Sequence, residues 1–295
     1  MSSASTPDKG QAQDRLPATL TYKLYLGGAF PRSESGRVYP VTDHRGTFLA
    51  NAAQASRRDA RDAVMAARAA LPGWAGATAY HRGQVLYRIA EMLERRREQF
   101  VAEVGAAEGT PARRAAAVVG ATIDRWVWYA GWTDKIATVL GSVNPVAGPY
   151  LCLSVLEPTG VVAIVAPQAS ALLGLVSVLA PVIAAGNTAV VVASQNRPLP
   201  AVTLSEALAT SELSPGVVNV LTGRTAELAP WLAAHADVNA LDLVGAPAPI
   251  SADLERTAAG TVKRVLPTPA AEPDWTRPPD IRRLRAFMET KTIWS

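Results

Sequence analysis

Apolar and polar positions change period several times along this chain, and the changes mark its elements. Val161 to Val165 is a β-branched run, with one alanine at Ala163, that predicts a strand buried on both faces. Pro167 and Gln168 break it. Ser170 is then placed to cap an apolar helix from Ala171 to Ala185, ended by Gly186 and Asn187. Thr188 to Ala193 is a second buried strand, so the stretch is a βαβ unit whose turn, at a helix N-terminus, could receive an anion. Val161 to Ala185 is also long enough to span a bilayer. Pro167, Gln168, Ser170 and Pro181 interrupt it, and basic and aromatic anchors are missing at its flanks. A buried helix of a soluble protein is therefore expected, with no membrane partner.

Elsewhere the pattern predicts strands and helices in alternation. Residues 1–18 read as a flexible tail, Thr21 to Phe30 as an edge strand followed by the turn PRSESGR, and Tyr39 to Ala53 as a strand and loop. Ser56 to Asp59 has the spacing of a capping box, ahead of a helix carried by Ala60, Val64, Ala67 and Leu71 and ended by Pro72 and Gly73. Arg82 to Val104 predicts one long amphipathic helix with Val85, Ile89, Met92, Leu93 and Phe100 inward and Arg95 to Arg97 outward. After Gly109 to Pro111 another helix runs from Ala115 to Ile136. Its Trp126, Trp128, Tyr129 and Trp132 recur at helical spacing, which favours packing over a stacking surface. Gly141 to Leu156 reads as a hairpin arm. Helices at Pro198 to Leu213 and Ala226 to Ala234 then separate strands at SPGVVNVLTG and Val238 to Val244, with a further helix around Ile250 to Ala259. This alternation means an α/β fold with a doubly wound parallel sheet. Residues 267–280 are proline-rich and read as a linker, and the last residues as a helical turn feeding a strand from Thr290 to Trp294.

Composition narrows the function classes. At 295 residues, 49% hydrophobic and 18% charged, the chain has ample core for one large or two ordinary domains. A net charge of +4 with arginines scattered along helices describes solvated faces and no nucleic-acid footprint. The polar N-terminus has no secretory apolar core, so a cytoplasmic setting is expected. Cys152 is the single cysteine, which excludes a disulfide framework, and its place in the alternating arm suits a small strand residue better than a nucleophile. His44, His81 and His235 lack metal-ligand or triad spacing, so no metal site and no catalytic residue are assigned.

Taken in order, several segments resemble the aldehyde dehydrogenase superfamily. They are YLGGAF at Tyr25, the helices from Ala63 to Leu93, WYAGWTDKI, EPTGVVAIVAP, LAPVIAAGNTAVVV, SPGVVNVLTG, LAAHADVNALDLVGA and AAGTVKRV. The resemblance covers about residues 20 to 266. It implies a Rossmann-like, NAD-binding-type domain over 19–266 with an oligomerisation arm at about 138–157, and the ending LRAFMETKTIW resembles the family's C-terminal arm strand, here within 281–295. In the family a catalytic domain with a nucleophilic cysteine follows the equivalent of Val265. Here Leu266 leads into the proline-rich stretch, so the expected architecture has no catalytic domain.

The resemblance also marks changed working positions. Ala169 stands where the family's oxyanion-holding amide belongs, and loss of one such donor costs about a hundredfold or more in rate. Gln168 is adjacent but expected to point elsewhere. Val192 replaces a ribose-binding lysine, Gln195 a glutamate, and Leu243 to Ala246 the pyrophosphate turn. Pro167, Gly223 and Gly245 are what remains of a degenerate cofactor site, so weak NAD(P) binding or none is expected. Two readings follow. One is a catalytically inactive subunit that associates with, and stabilises or regulates, a full-length aldehyde dehydrogenase, or pairs with itself as a homodimer. The other is an NAD(P)-dependent aldehyde oxidoreductase, or NAD-binding protein, with a divergent site. A decaying fragment with no role is the bland third.

Overall fold

The N-terminal segment of the computed structural model, which describes residues 19–295, is a small three-stranded sheet. Its strands are β1 (Thr21–Tyr22), β2 (Val38–Thr42) and β3 (Phe48–Ala53), in the order β1-β3-β2. The tail expected at residues 1–18 lies outside the described residues. Two expectations change here. The strand expected over Thr21 to Phe30 is only two residues long, and farther on Gly27 and Gly28 take positive φ and fold the chain back between Leu26 and Ala29. Tyr25 instead bridges antiparallel to Val220. Tyr39 to Ala53 contains two strands, not one, turned through Asp43 to Thr47 with Gly46 at positive φ.

Five helices follow: α1 (Arg57–Gly76), α2 (Ala79–Arg95), α3 (Arg97–Glu108), α4 (Ala112–Ala130) and α5 (Ile136–Leu140). The Ser56/Asp59 capping box is formed as expected. Pro72 and Gly73 do not end α1. The helix runs on because Trp74 is buried and its indole Nε1 donates to Ile183 O at 2.9 Å, which outweighs one lost backbone bond. The long helix expected from Arg82 is two helices, broken at Arg96 with φ −110° and ψ 18°. That bend lets Leu93 and Phe100, on either side of it, both reach the core. Arg95 is exposed as expected, but Arg96 reaches back to Glu206 at 2.6 Å. The next helix starts three residues before Ala115 and ends at Ala130, short of Ile136. Trp126 and Tyr129 are fully buried in it, as packing residues.

The arm is β4 (Ser142–Val143) and β5 (Cys152–Pro158), antiparallel. Then come β6 (Val161–Val165), α6 (Leu173–Ala184), β7 (Thr188–Val192), α7 (Leu199–Ala209), β8 (Val218–Leu221), α8 (Thr225–Ala234), β9 (Ala240–Asp242), α9 (Ala248–Ala259) and β10 (Arg264–Leu266). The five later strands form one parallel sheet of order β10-β9-β6-β7-β8. Along β6 the side chains alternate between two cores. Val162 and Ile164 pack with α2, α4 and α6, whereas Val161, Ala163 and Val165 pack with α1, α8 and α9. The sheet is therefore doubly wound. α6 begins at Leu173, two residues later than expected, although Ser170 Oγ still accepts from Gly174 N at 3.0 Å.

Past β10, residues 267–281 form a strap across the sheet's C-terminal end, followed by α10 (Arg282–Ala286) and β11 (Met288–Trp294). β11 pairs antiparallel with β5 through all seven residues, from Met288 opposite Pro158 to Trp294 opposite Cys152, giving an arm sheet of order β11-β5-β4. The stretch expected to be a plain linker is anchored. Trp275 lies in the main core, Phe287 is fully buried, and the buried Asn187 donates from Nδ2 to Phe287 O at 2.9 Å while its Oδ1 accepts from Gly160 N at 2.8 Å. No described helix is long and apolar enough to cross a membrane.

Candidate functional site

In a parallel sheet with helices on both faces, ligands bind beyond the C-terminal strand ends, because the βα turns and helix N-termini converge there. At that edge Pro167 follows β6, Gly223 follows β8 and Gly245 follows β9. β6 and β9 are neighbours, so Pro167 and Gly245 touch: Gly245 N donates to Val165 O at 3.1 Å, and a Cβ there would overlap the Ala166 carbonyl oxygen. The missing side chain at Gly245 thus makes room for the protein's own backbone. Gly223 is two strands away, beyond β7, at φ +147°, packed against the backbone of Ala55. It lines a cleft of about 480 Å³ with Gln195, Asn196 and Tyr39.

The turn after β6 is fully engaged. Gln168 folds back on the turn, with Nε2 donating to Ala166 O at 2.7 Å, and its Oε1 accepts from Gln195 N at 3.0 Å. The amides at the start of α6 are covered by two carboxylates. Glu272 of the strap accepts from Ala169 N at 3.1 Å and Ser170 N at 3.2 Å, and Glu108, the last residue of α3, accepts from Ala171 N at 2.9 Å. Both satisfy N–H groups that a helix start leaves open, in the favourable sense of its dipole. Burial pushes the Glu108 carboxyl up, against the Ala171 amide and the Arg197 and Arg114 charges that draw it down. Glu272 Oε1 also accepts from Trp275 Nε1 at 3.1 Å, and the Ala169 carbonyl receives Arg197.

The other positions of interest differ in what they bring to this edge, where the buried Tyr39 hydroxyl of the cleft has no hydrogen-bond partner among the described residues. Val192 is buried inside β7. Gln195 Oε1 accepts from Thr225 N at 3.2 Å at the start of α8. In the turn after β9 the Leu243 carbonyl accepts from Ala246 N at 2.9 Å and from Thr268 Oγ1 at 2.7 Å. Asp242, fully buried, holds Arg283 of α10 at 2.5 Å. Burial raises its carboxyl, opposed by the Arg283 charge and the Val244 amide.

Cys152 is buried on β5, with Asn144 Nδ2 at 3.3 Å from Sγ. Among the described residues no group of three or more His, Cys, Asp or Glu side chains could hold a metal ion. His235, whose pKa is lowered by burial, accepts from Asp237 N, and His44 sits beside Ala106 O. Sequence reasoning missed Glu108, Glu272, Arg125 and Trp275. One signal was available for the first two: the turn after β6 has no acidic residue to take its own amides, so acceptors had to come from elsewhere.

Comparison with known proteins places these features. The model of the aldehyde dehydrogenase family matches residues 30–267. A mitochondrial aldehyde dehydrogenase family 2 member B4 of Arabidopsis thaliana is 32% identical over 227 residues, covering 76% of this chain and 42% of that protein. A mitochondrial benzaldehyde dehydrogenase of Antirrhinum majus is 30% identical over 254 residues, covering 84% and 47%. Among solved structures, HpcC from Thermus thermophilus superposes with a TM-score of 0.79 at 29% identity, over 83% of this chain and 47% of that one. The NAD+ complex of an aldehyde dehydrogenase from Bacillus cereus gives 0.78 at 25% identity, over 83% and 50%. The chain spans about half the length, or less, of the relatives it matches.

Proposed function

The chain belongs to the aldehyde dehydrogenase family, and from that premise we propose that it is a non-catalytic subunit that associates with a full-length aldehyde dehydrogenase and stabilises or regulates it. The observation that carries this reading is the course of the chain after β10. One strap crosses the sheet edge and the chain then enters β11, which completes the arm sheet in a seven-residue register. A segment kept in register for pairing, with no second α/β lobe between it and the sheet among the described residues, suits docking better than chemistry.

The site residues support the same reading. Ala169 has no side-chain amide to donate to an oxyanion, and Glu272 already takes its backbone N–H and that of Ser170. A tightly held dinucleotide does not fit the residues present. Val192 and Ala246 offer no polar side-chain atom, and the carboxylates of Glu108 and Glu272 put negative charge at the helix start that a pyrophosphate would approach. NAD(P) binding is accordingly weak or absent, and no redox step is assigned to this chain. A homodimer through the same arm is the alternative assembly.

The test is co-expression with a full-length aldehyde dehydrogenase from the same host, followed by native mass spectrometry. A mixed oligomer supports the proposal, and elution of the chain alone contradicts it. A thermal-shift titration with NAD and NADP separates the oxidoreductase reading: a shift at micromolar cofactor would favour it.

A further inference from the structure

Where the strap crosses the sheet edge it does not lie flat on the core. It roofs a cavity of about 540 Å³ whose floor includes Arg125 and Tyr129 of α4 and Ser177 of α6. The positions 125 and 129 are one helical turn apart, so the guanidinium and the phenol share a face.

Arg125 is only 7% exposed, and three hydrogen bonds hold it, to Ser177 Oγ at 2.9 Å, Trp275 O at 2.8 Å and Arg277 O at 2.9 Å. All three acceptors are neutral. Among the described residues no carboxylate pairs with it, and two of the five N–H groups of an arginine are left without a partner. A buried cation without a counter-charge is costly, and such groups are normally paired. The Tyr129 hydroxyl likewise makes no hydrogen bond among the described residues, although the residue is 1% exposed. Burial pushes the phenol up to about 12, so it stays a neutral donor throughout the physiological range.

The rest of the lining mixes charged and apolar residues. Arg283 stands 5.3 Å from the Trp275 ring centre, with its own charge answered by Asp242. Asp274 and Asp280, the two aspartates of the lining, face Arg277 and Arg282 and are already engaged there. Val244, Leu266 and the strap prolines supply the walls. One uncompensated positive charge and one spare hydroxyl, beside Trp275, Val244, Leu266 and the prolines, describe a receptor for a single negative charge on an apolar body.

We propose that the cavity beneath the strap is a binding site for a small organic carboxylate, seated on Arg125 and the Tyr129 hydroxyl with its apolar part against Trp275 and the prolines. The site depends on residues 268–283, beyond the 30–267 family match, as much as on the helices within that match. It stands whether or not the chain associates with another subunit.

The experiment is isothermal titration of the full chain with benzoate, with benzamide, benzylamine and inorganic phosphate as comparison probes at matched ionic strength. Benzoate is expected to saturate one site per chain and to bind at least about tenfold more tightly than benzamide or benzylamine, because a hydrogen bond to a charged group is the stronger kind. Arg125→Gln is expected to abolish binding. Because Arg125 also holds the strap, Tyr129→Phe serves as the second variant. It keeps the ring packing and is expected to weaken benzoate about fivefold to tenfold. Absence of saturable binding overturns the assignment. So does benzamide matching benzoate, phosphate binding where benzoate does not, or a Tyr129→Phe chain that binds benzoate as the wild type does.

Discussion

Phe287→Ala tests whether the returning C-terminal segment is part of the fold or an appendage to it. Phe287 is fully buried in the main core, and its carbonyl accepts from Asn187 Nδ2 at 2.9 Å and from Thr159 N at 3.2 Å. The substitution removes the ring and leaves both backbone bonds, so the loss is transfer free energy plus the cavity left behind, about 3–5 kcal/mol for a buried phenylalanine. Against a total stability of about 5–15 kcal/mol for an ordinary domain, that is a large share. With a urea m-value of about 2–3 kcal/mol/M, the midpoint falls by about 1–2.5 M. Urea melts followed by circular dichroism and by tryptophan fluorescence measure it. Trp294→Ala, at a side chain 65% exposed at the far end of β11, is the control and is expected to change stability by no more than about 0.5 kcal/mol. If Phe287→Ala costs no more than Trp294→Ala, the segment is an appendage and the strap is not anchored as described.

Other residues give independent checks. Burial raises the Glu103 carboxyl to about 7, only partly offset by hydrogen bonds from Thr203 and Gln99. The folded state then holds its proton more tightly than the unfolded state, so its contribution is present below the unfolded value of 4.5 and is lost as pH rises through about 7. Wild type should lose about 3 kcal/mol more than Glu103→Gln between those limits, read as urea midpoints across pH, and parallel curves would refute this. The Cys152 thiol, 3% exposed, should react with a thiol reagent only after unfolding, and stoichiometric labelling of the native chain would contradict its place in the arm. Gly245→Ala should lower stability by about 1–3 kcal/mol in a thermal melt, because the added methyl overlaps the Ala166 carbonyl, and an unchanged melting temperature would show that the two loops do not pack as described.

Period and punctuation make the central sheet readable from the chain alone. Val161 to Val165 and Thr188 to Val192 are β-branched runs that no helix would favour, and Ser56 with Asp59 carries a capping box in its letters. Misread elements turn on tertiary forces. Pro72 reads as a stop, but Trp74 beyond it is fixed by Ile183, and the bend at Arg96 is set by the burial of both Leu93 and Phe100 in one core. The site is harder still. Val192, Ala169 and Gln195 are visible as letters, but the partners that surround them in the fold lie far away in sequence. Glu272 reaches Ala169 across 103 residues and Trp275 reaches Arg125 across 150, and no local pattern records such a meeting. A proline-rich stretch reads as a linker because its backbone cannot join a ladder; that it can still bury a tryptophan depends on what it lands on.

One measurement bears most directly on the proposed non-catalytic role: reduction of NAD or NADP, followed by absorbance, when the purified chain alone is offered aliphatic and aromatic aldehydes. No rate above the protein-free blank is expected with either cofactor. Turnover that scales with chain concentration and survives removal of every other subunit would contradict a non-catalytic role.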